Sequence, residues 1–174
     1  MISGVEIVRL LKSVFVPNEV LERVEDVNFR QLYTKGYRVV FLDIDNTVMT
    51  YEQKNLSLQK ISWIEKIKSL GFQVFFVSNN INGRRVNRVC TQTGVEGIYF
   101  SCKPLVMSVK ALAKDNFIDF REVVMIGDQI LTDIIMGNWL KCYTVLVDPL
   151  GKRLSFLKTL QRDIELFLLR KLKF

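Results

Sequence analysis

Short apolar runs alternate with helix-period segments through the middle of the chain. Arg38-Val39-Val40-Phe41-Leu42, Val74-Phe75-Phe76-Val77, Gly97-Ile98-Tyr99-Phe100, Val123-Val124-Met125-Ile126 and Tyr143-Thr144-Val145-Leu146-Val147 read as strands. The longer runs show no apolar–polar alternation, so they predict strands covered on both faces. Between them, Ser57 to Leu70 repeats Leu58, Ile61, Ile64, Ile67 and Leu70 at helical spacing, and Gly71 stops it. Further helices are predicted from Arg84 to Thr93, from Pro104 (suited to a first helical position) to about Lys114, and from Leu131 to Leu140.

Strand–helix alternation with buried strands predicts an α/β fold: a doubly wound, Rossmann-like parallel sheet flanked by helices. Residues 1–36 read as a helical preface of two short helices separated by Pro17-Asn18, 37–148 as the α/β core, and 153–171 as one basic amphipathic helix. The whole, 1–174, is expected to be one domain.

Composition narrows the chemistry. The chain has no histidine, which excludes Ser-His-Asp and Cys-His catalysis and His-ligated metals. Its three cysteines, Cys90, Cys102 and Cys142, form no Cys-x-x-Cys and suit reduced thiols in a cytosolic protein. No run approaches the length of a membrane span. The net charge of +7 calls for an anionic partner. Residues 152–174 carry seven basic and two acidic residues, so they hold most of that excess.

Ligands of doubly wound sheets bind beyond the carboxyl ends of the strands. Four such ends here are polar: Asp43-Ile44-Asp45-Asn46-Thr47, Ser78-Asn79-Asn80, Lys103-Pro104, and Gly127-Asp128-Gln129 with Thr132-Asp133 beyond. Singly, each reads as an Asx turn, a solvated charge or a helix cap. Together they gather like charges at one rim, for which fold stability offers no reason. Phosphoryl transfer through a carboxylate does. Asp43 and Asp128 could hold Mg²⁺, with Asp43 attacking phosphorus. Asp45 could serve as acid and base, Ser78 and Lys103 could take phosphate charge, and Asp133 could orient Lys103 or a metal-bound water.

These elements resemble the haloacid dehalogenase-like (HAD) phosphatase superfamily. The likeness is closer to the YqeG-type class IIIA phosphatases, which include phosphatidylglycerophosphate phosphatases. It runs through Leu42 to Thr47, Ser78-Asn79-Asn80, Lys103-Pro104, Gly127 to Asp133, Gly137-Asn138 and Tyr143 to Val147, over roughly residues 14–170. Val48-Met49-Thr50-Tyr51 departs from the family's usual Leu after the Thr. The resemblance implies an HAD-like fold, the backbone carbonyl of Asp45 as a further Mg²⁺ ligand, and phosphate contacts from Thr47, Ser78, Asn79 and Lys103. It also implies an aspartyl-phosphate intermediate and phosphatidylglycerophosphate as substrate.

The segments after Thr47 and after Ser78 are too short for a cap domain, which suits a phosphate carried on something large. A soluble sugar phosphate or a nucleic-acid end is the alternative substrate; a non-catalytic binding protein on the same fold is a third reading. The basic C-terminal segment suggests peripheral contact with an anionic membrane at its cytoplasmic face. No aromatic–basic interleaving points to nucleic acid.

Overall fold

The apolar runs pair side by side. The computed structural model describes residues 4–151. Its six strands are β1 (Glu19–Leu21), β2 (Val39–Leu42), β3 (Gln73–Val77), β4 (Glu96–Ile98), β5 (Val123–Gly127) and β6 (Tyr143–Val147). They form one sheet in the order β1-β6-β5-β2-β3-β4, and every pairing is parallel. The helices are α1 (Gly4–Phe15), α2 (Phe29–Thr34), α3 (Leu58–Ser69), α4 (Gly83–Thr93), α5 (Met107–Asp115) and α6 (Ile135–Leu140).

The pleat sends alternate residues to opposite faces. Val40, Leu42, Phe76 and Ile126 pack with Phe29, Ile64, Ile67 and Val86, beneath α2, α3 and α4. Val39, Phe41, Phe75 and Met125 pack with Val109, Leu112, Met136 and Leu140 of α5 and α6. Burying each such side chain stabilises the fold by roughly 1.5–3 kcal/mol. Two covered faces account for the uninterrupted apolar runs. The chain steps from β2 to β3 on one side and later sets β5 against the other side of β2. The carboxyl ends of β2 and β5 therefore meet at the switch point, where open α/β sheets bind ligands.

Three local expectations are extended or corrected. The N-terminal preface holds its two short helices, α1 and the six-residue α2, but between them the chain also forms the edge strand β1 and a single 3-10 turn at Val24–Asp26. Asn18 splices β1 to the sheet, its N–H donating to the Thr144 carbonyl (3.0 Å) and its Oδ1 accepting from Thr144 N–H (2.8 Å). A three-residue edge strand with Val20 exposed leaves no apolar run to read.

Pro104 does not open a helix. The Lys103-Pro104 peptide is cis, and α5 starts only at Met107. The predicted helix from Leu131 begins as a wide π turn over Ile130–Ile134 before α6. Such turns place side chains that a regular helix would misdirect, and Asp133 is the one placed here. The predicted helix at 153–171 lies outside the described residues. No helix among those described is long and apolar enough to cross a membrane.

Candidate active site

β2 and β5 run in register, with Leu42 opposite Ile126, and Asp43 N–H donates to the Ile126 carbonyl (3.0 Å). Asp43 and Asp128 therefore leave adjacent strand ends. The chain then turns at Asn46, whose φ of 65° is a left-handed conformation that Asn tolerates. Asn46 N–H closes that turn on the Met49 carbonyl (2.7 Å). Beyond the strand ends lies a cavity of about 210 Å³ lined by Asp43, Asp45, Tyr51, Ser78, Asn79, Asn80, Lys103, Gln129 and Thr132.

Lys103 is the pivot at its floor. The ammonium donates to Asp43 Oδ1 (2.6 Å) and to the Val77 carbonyl (2.6 Å), and pairs with Asp133 Oδ1 at 2.7 Å. Two of the ammonium's three donors are thus engaged in hydrogen bonds, and Asp133 adds a close opposite charge. Burial opposes its charge, but Asp133 and Asp43 outweigh burial and hold its pKa above the ordinary lysine value. Burial pushes the Asp43 carboxyl up, to about 6; Lys103 pulls it back, and Asp133 adds to the rise.

Asp133 reaches this position because β5 ends in glycine. A Cβ on Gly127 would lie 2.2 Å from Asp133 Cγ, so no larger residue fits. Gln129 N–H donates to Asp133 Oδ2 (3.1 Å), closing the start of the π turn around the carboxylate.

The expected phosphate contacts are placed differently from one another. Asn79 lines the cavity, but its side chain is committed to the Lys103 loop: Oδ1 accepts from Lys103 N–H (2.7 Å) and Ser101 Oγ (2.9 Å), and Nδ2 donates to the Lys103 carbonyl (3.0 Å). From the cavity wall it therefore braces the Lys103 loop. Thr47 is buried and absent from the cavity wall, and its Oγ1 has no hydrogen-bond partner among the described residues. Ser78 lines the cavity as expected, and its Oγ accepts from Asn80 N–H (3.1 Å).

Sequence reasoning missed Arg85. Asn82 caps α4 by accepting from Arg85 N–H (3.3 Å), which puts Arg85 in the first turn. Its Nε and Nη2 both reach Asp45 Oδ1, at 2.9 and 2.8 Å, while Asn80 Nδ2 donates to Asp45 Oδ2 (2.8 Å). Nη2 also donates to the Thr50 carbonyl (2.8 Å) and Nη1 to the Gln53 carbonyl (2.5 Å). One side chain thus fixes Asp45 and straps the loop after β2 across the site. A basic residue at the start of the helix after Ser78-Asn79-Asn80 was the only available signal.

The donor set suits a hard cation. Among the described residues no three acidic or thiol groups form a metal cage by themselves, whereas Mg²⁺ takes one or two carboxylates, with waters and substrate oxygens completing its shell. The acids do converge: with burial, the charges of Asp45, Asp43 and Asp128 push the Tyr51 phenol up to about 12.

The parallel six-stranded sheet, the short connections after β2 and β3, and four polar strand ends around a buried Asp–Lys–Asp chain define an HAD-type phosphatase, a phosphoric monoester hydrolase. Within that class the chain belongs to the mitochondrial PGP phosphatase family, whose model matches residues 2–150. It is 30% identical to "Probable phosphatase YqeG" of Bacillus subtilis (strain 168), over 94% of this chain and 95% of that one. It is 23% identical to the chloroplastic/mitochondrial phosphatidylglycerophosphate phosphatase 1 of Arabidopsis thaliana, covering 98% of this chain but spanning about half (51%) of the plant protein. Among solved structures, the fold matches 3-deoxy-D-manno-octulosonate 8-phosphate phosphatase from Moraxella catarrhalis, in complex with magnesium, phosphate and KDO. That match has a TM-score of 0.50 and 12% identity, covering 81% of this chain and 91% of that one.

Proposed function

We propose that this phosphatase removes the terminal phosphate of phosphatidylglycerophosphate, with Asp43 as nucleophile. The observation that carries the chemistry is Asp43 on the cavity wall, oriented by Lys103 at 2.6 Å, with a second acid two residues on. Asp43 attacks phosphorus, the bond to the glycerol oxygen breaks, and Asp45 gives that oxygen a proton. Asp45 then takes a proton from the water that attacks the aspartyl-phosphate, releasing inorganic phosphate and restoring Asp43. Arg85 and Asn80 hold Asp45 for both transfers, and Asp133 holds Lys103 beneath Asp43. The Asp43 and Asp128 carboxylates with the Asp45 carbonyl would hold Mg²⁺, which would neutralise charge on the phosphate oxygens.

The family match and the plant relative's named activity support the lipid substrate. So do the short loops, which leave the site accessible to a headgroup held in a bilayer. The test compares phosphate release from phosphatidylglycerophosphate in mixed micelles with release from soluble sugar phosphates and nucleotides, for wild type and Asp43→Asn. The lipid should be preferred and the variant should be folded and inactive. Far more efficient turnover of soluble esters would overturn the lipid reading; normal turnover by Asp43→Asn would overturn the nucleophile.

A further inference from the structure

The rim beside the cavity carries an unusual concentration of exposed apolar side chains. Ile81 lies in the loop after β3. Tyr99 and Phe100 follow β4, and Leu105 and Met107 lie before and at the start of α5. Each is at least 53% exposed. All five follow neighbouring parallel strands, so they crowd one edge of the sheet, the edge that holds Asp43 and Lys103.

The loops are fastened to one another. Phe100 N–H donates to the Asn80 carbonyl (2.9 Å), Ser101 N–H to the Ser78 carbonyl (2.9 Å), and Ser108 Oγ to the Ser101 carbonyl (2.6 Å). The Tyr99 ring lies against Gly83, where an added Cβ would meet it at 3.3 Å. The apolar side chains are therefore displayed on a braced platform. Scattered exposed apolar residues are ordinary on a protein surface, but a group beside a binding site marks an interaction surface.

Charge identifies the partner. Arg84 and Lys110 are exposed next to Ile81 and Met107, one in the first turn of α4 and one a turn into α5. The chain leaves the described structure at the same edge, since Leu150 N–H donates to the Asn46 carbonyl (2.8 Å). The sequence that continues from there, 152–174, has seven basic residues against two acidic ones. Aromatic and aliphatic groups flanked by Arg84 and Lys110 match the boundary of an anionic bilayer: rings and chains enter the headgroup region, and Lys and Arg meet lipid phosphates.

We infer that Ile81, Tyr99, Phe100, Leu105 and Met107 form a membrane-docking rim that seats the open site on an anionic lipid surface. This rests on the lipid reading above and adds the surface that delivers the enzyme to its substrate. It differs from attraction by the basic terminus alone, because it requires apolar insertion.

The test uses the full chain and vesicles of phosphatidylcholine with one-third phosphatidylglycerol, read by flotation at low and high salt. The variant Ile81→Ser/Phe100→Ser/Met107→Ser is compared with wild type and with Phe117→Ser, an exposed control at the opposite edge, just before β5. Wild type and the control should bind, and the triple variant should bind at least roughly tenfold more weakly, given the apolar area removed. All three should hydrolyse p-nitrophenyl phosphate equally, and the triple variant should lose activity on vesicle-borne lipid but keep it on lipid in mixed micelles.

Equal vesicle binding by the triple variant overturns the rim. So does a wild type that dimerises through these residues in sedimentation velocity, because the surface would then face a second copy. Vesicle binding that depends on the rim, combined with no phosphate release from micellar phosphatidylglycerophosphate, would uphold docking and sink the substrate reading instead.

Discussion

Removing Arg85 tests whether the site depends on a residue that touches no reacting atom. The Arg85 and Asp45 side chains are only 13% and 8% exposed, so their contact is a buried ion pair rather than a surface one. Breaking such a pair from one side costs about 3–5 kcal/mol, because the remaining charge loses its partner. In a domain of this size, with 2–4 °C per kcal/mol, Arg85→Ala should lower Tm by roughly 6–20 °C. The same change frees the Thr50 and Gln53 carbonyls, so the loop after β2 loosens. Misplacing an acid–base group by about an ångström costs on the order of 10²-fold in rate, so kcat should fall by about that much with KM little changed.

Arg85→Lys keeps the charge without the planar fork and should recover only part of either loss. The decisive assay is a double-mutant cycle on kcat for p-nitrophenyl phosphate. If Arg85 acts through Asp45, Arg85→Ala/Asp45→Asn turns over no more slowly than Asp45→Asn alone. Two rate losses that multiply, or an Arg85→Ala variant with wild-type kcat and Tm, would refute the positioning role.

Three other outcomes follow from the same geometry. Gly127→Ala should destabilise by about 1–3 kcal/mol and cut turnover, since the new methyl displaces Asp133 from Lys103; an unchanged urea midpoint would contradict the close approach. Glu25 is pulled below its ordinary value: partial burial raises its pKa, but the hydrogen bond and charge of Lys60 at 2.7 Å lower it further. The pair's stabilisation is therefore fully present above the unfolded value of 4.5 and lost as pH falls through the lower folded value, so Glu25→Gln should flatten that part of the Tm–pH curve. An unaltered curve would refute it. Chelation should abolish phosphate release and added Mg²⁺ restore it, with Asp128→Asn needing more Mg²⁺ for half-maximal rate; full activity after thorough chelation would exclude the cation.

The sheet was legible because its strands are short apolar runs covered on both faces, a property each run carries alone. Asp43, Asp45, Ser78, Lys103, Asp128 and Asp133 were legible because a parallel sheet sends every strand's carboxyl end to one rim. Local sequence does not report pairing at a distance. β1 forms because β6 offers an open edge, although Val20 stays exposed. Lys103 is held by Asp43, sixty positions away, and by Asp133, which a π turn and a bare Gly127 admit. Asn79 became a strut and Arg85 a clamp on Asp45, forty positions from it, only when the loops after β2, β3 and β4 were packed together. Periodicity and residue type thus chose the fold and the acids, while burial and packing decided which partner each charge keeps, because a charge taken out of water is held by the neighbours that tertiary structure supplies.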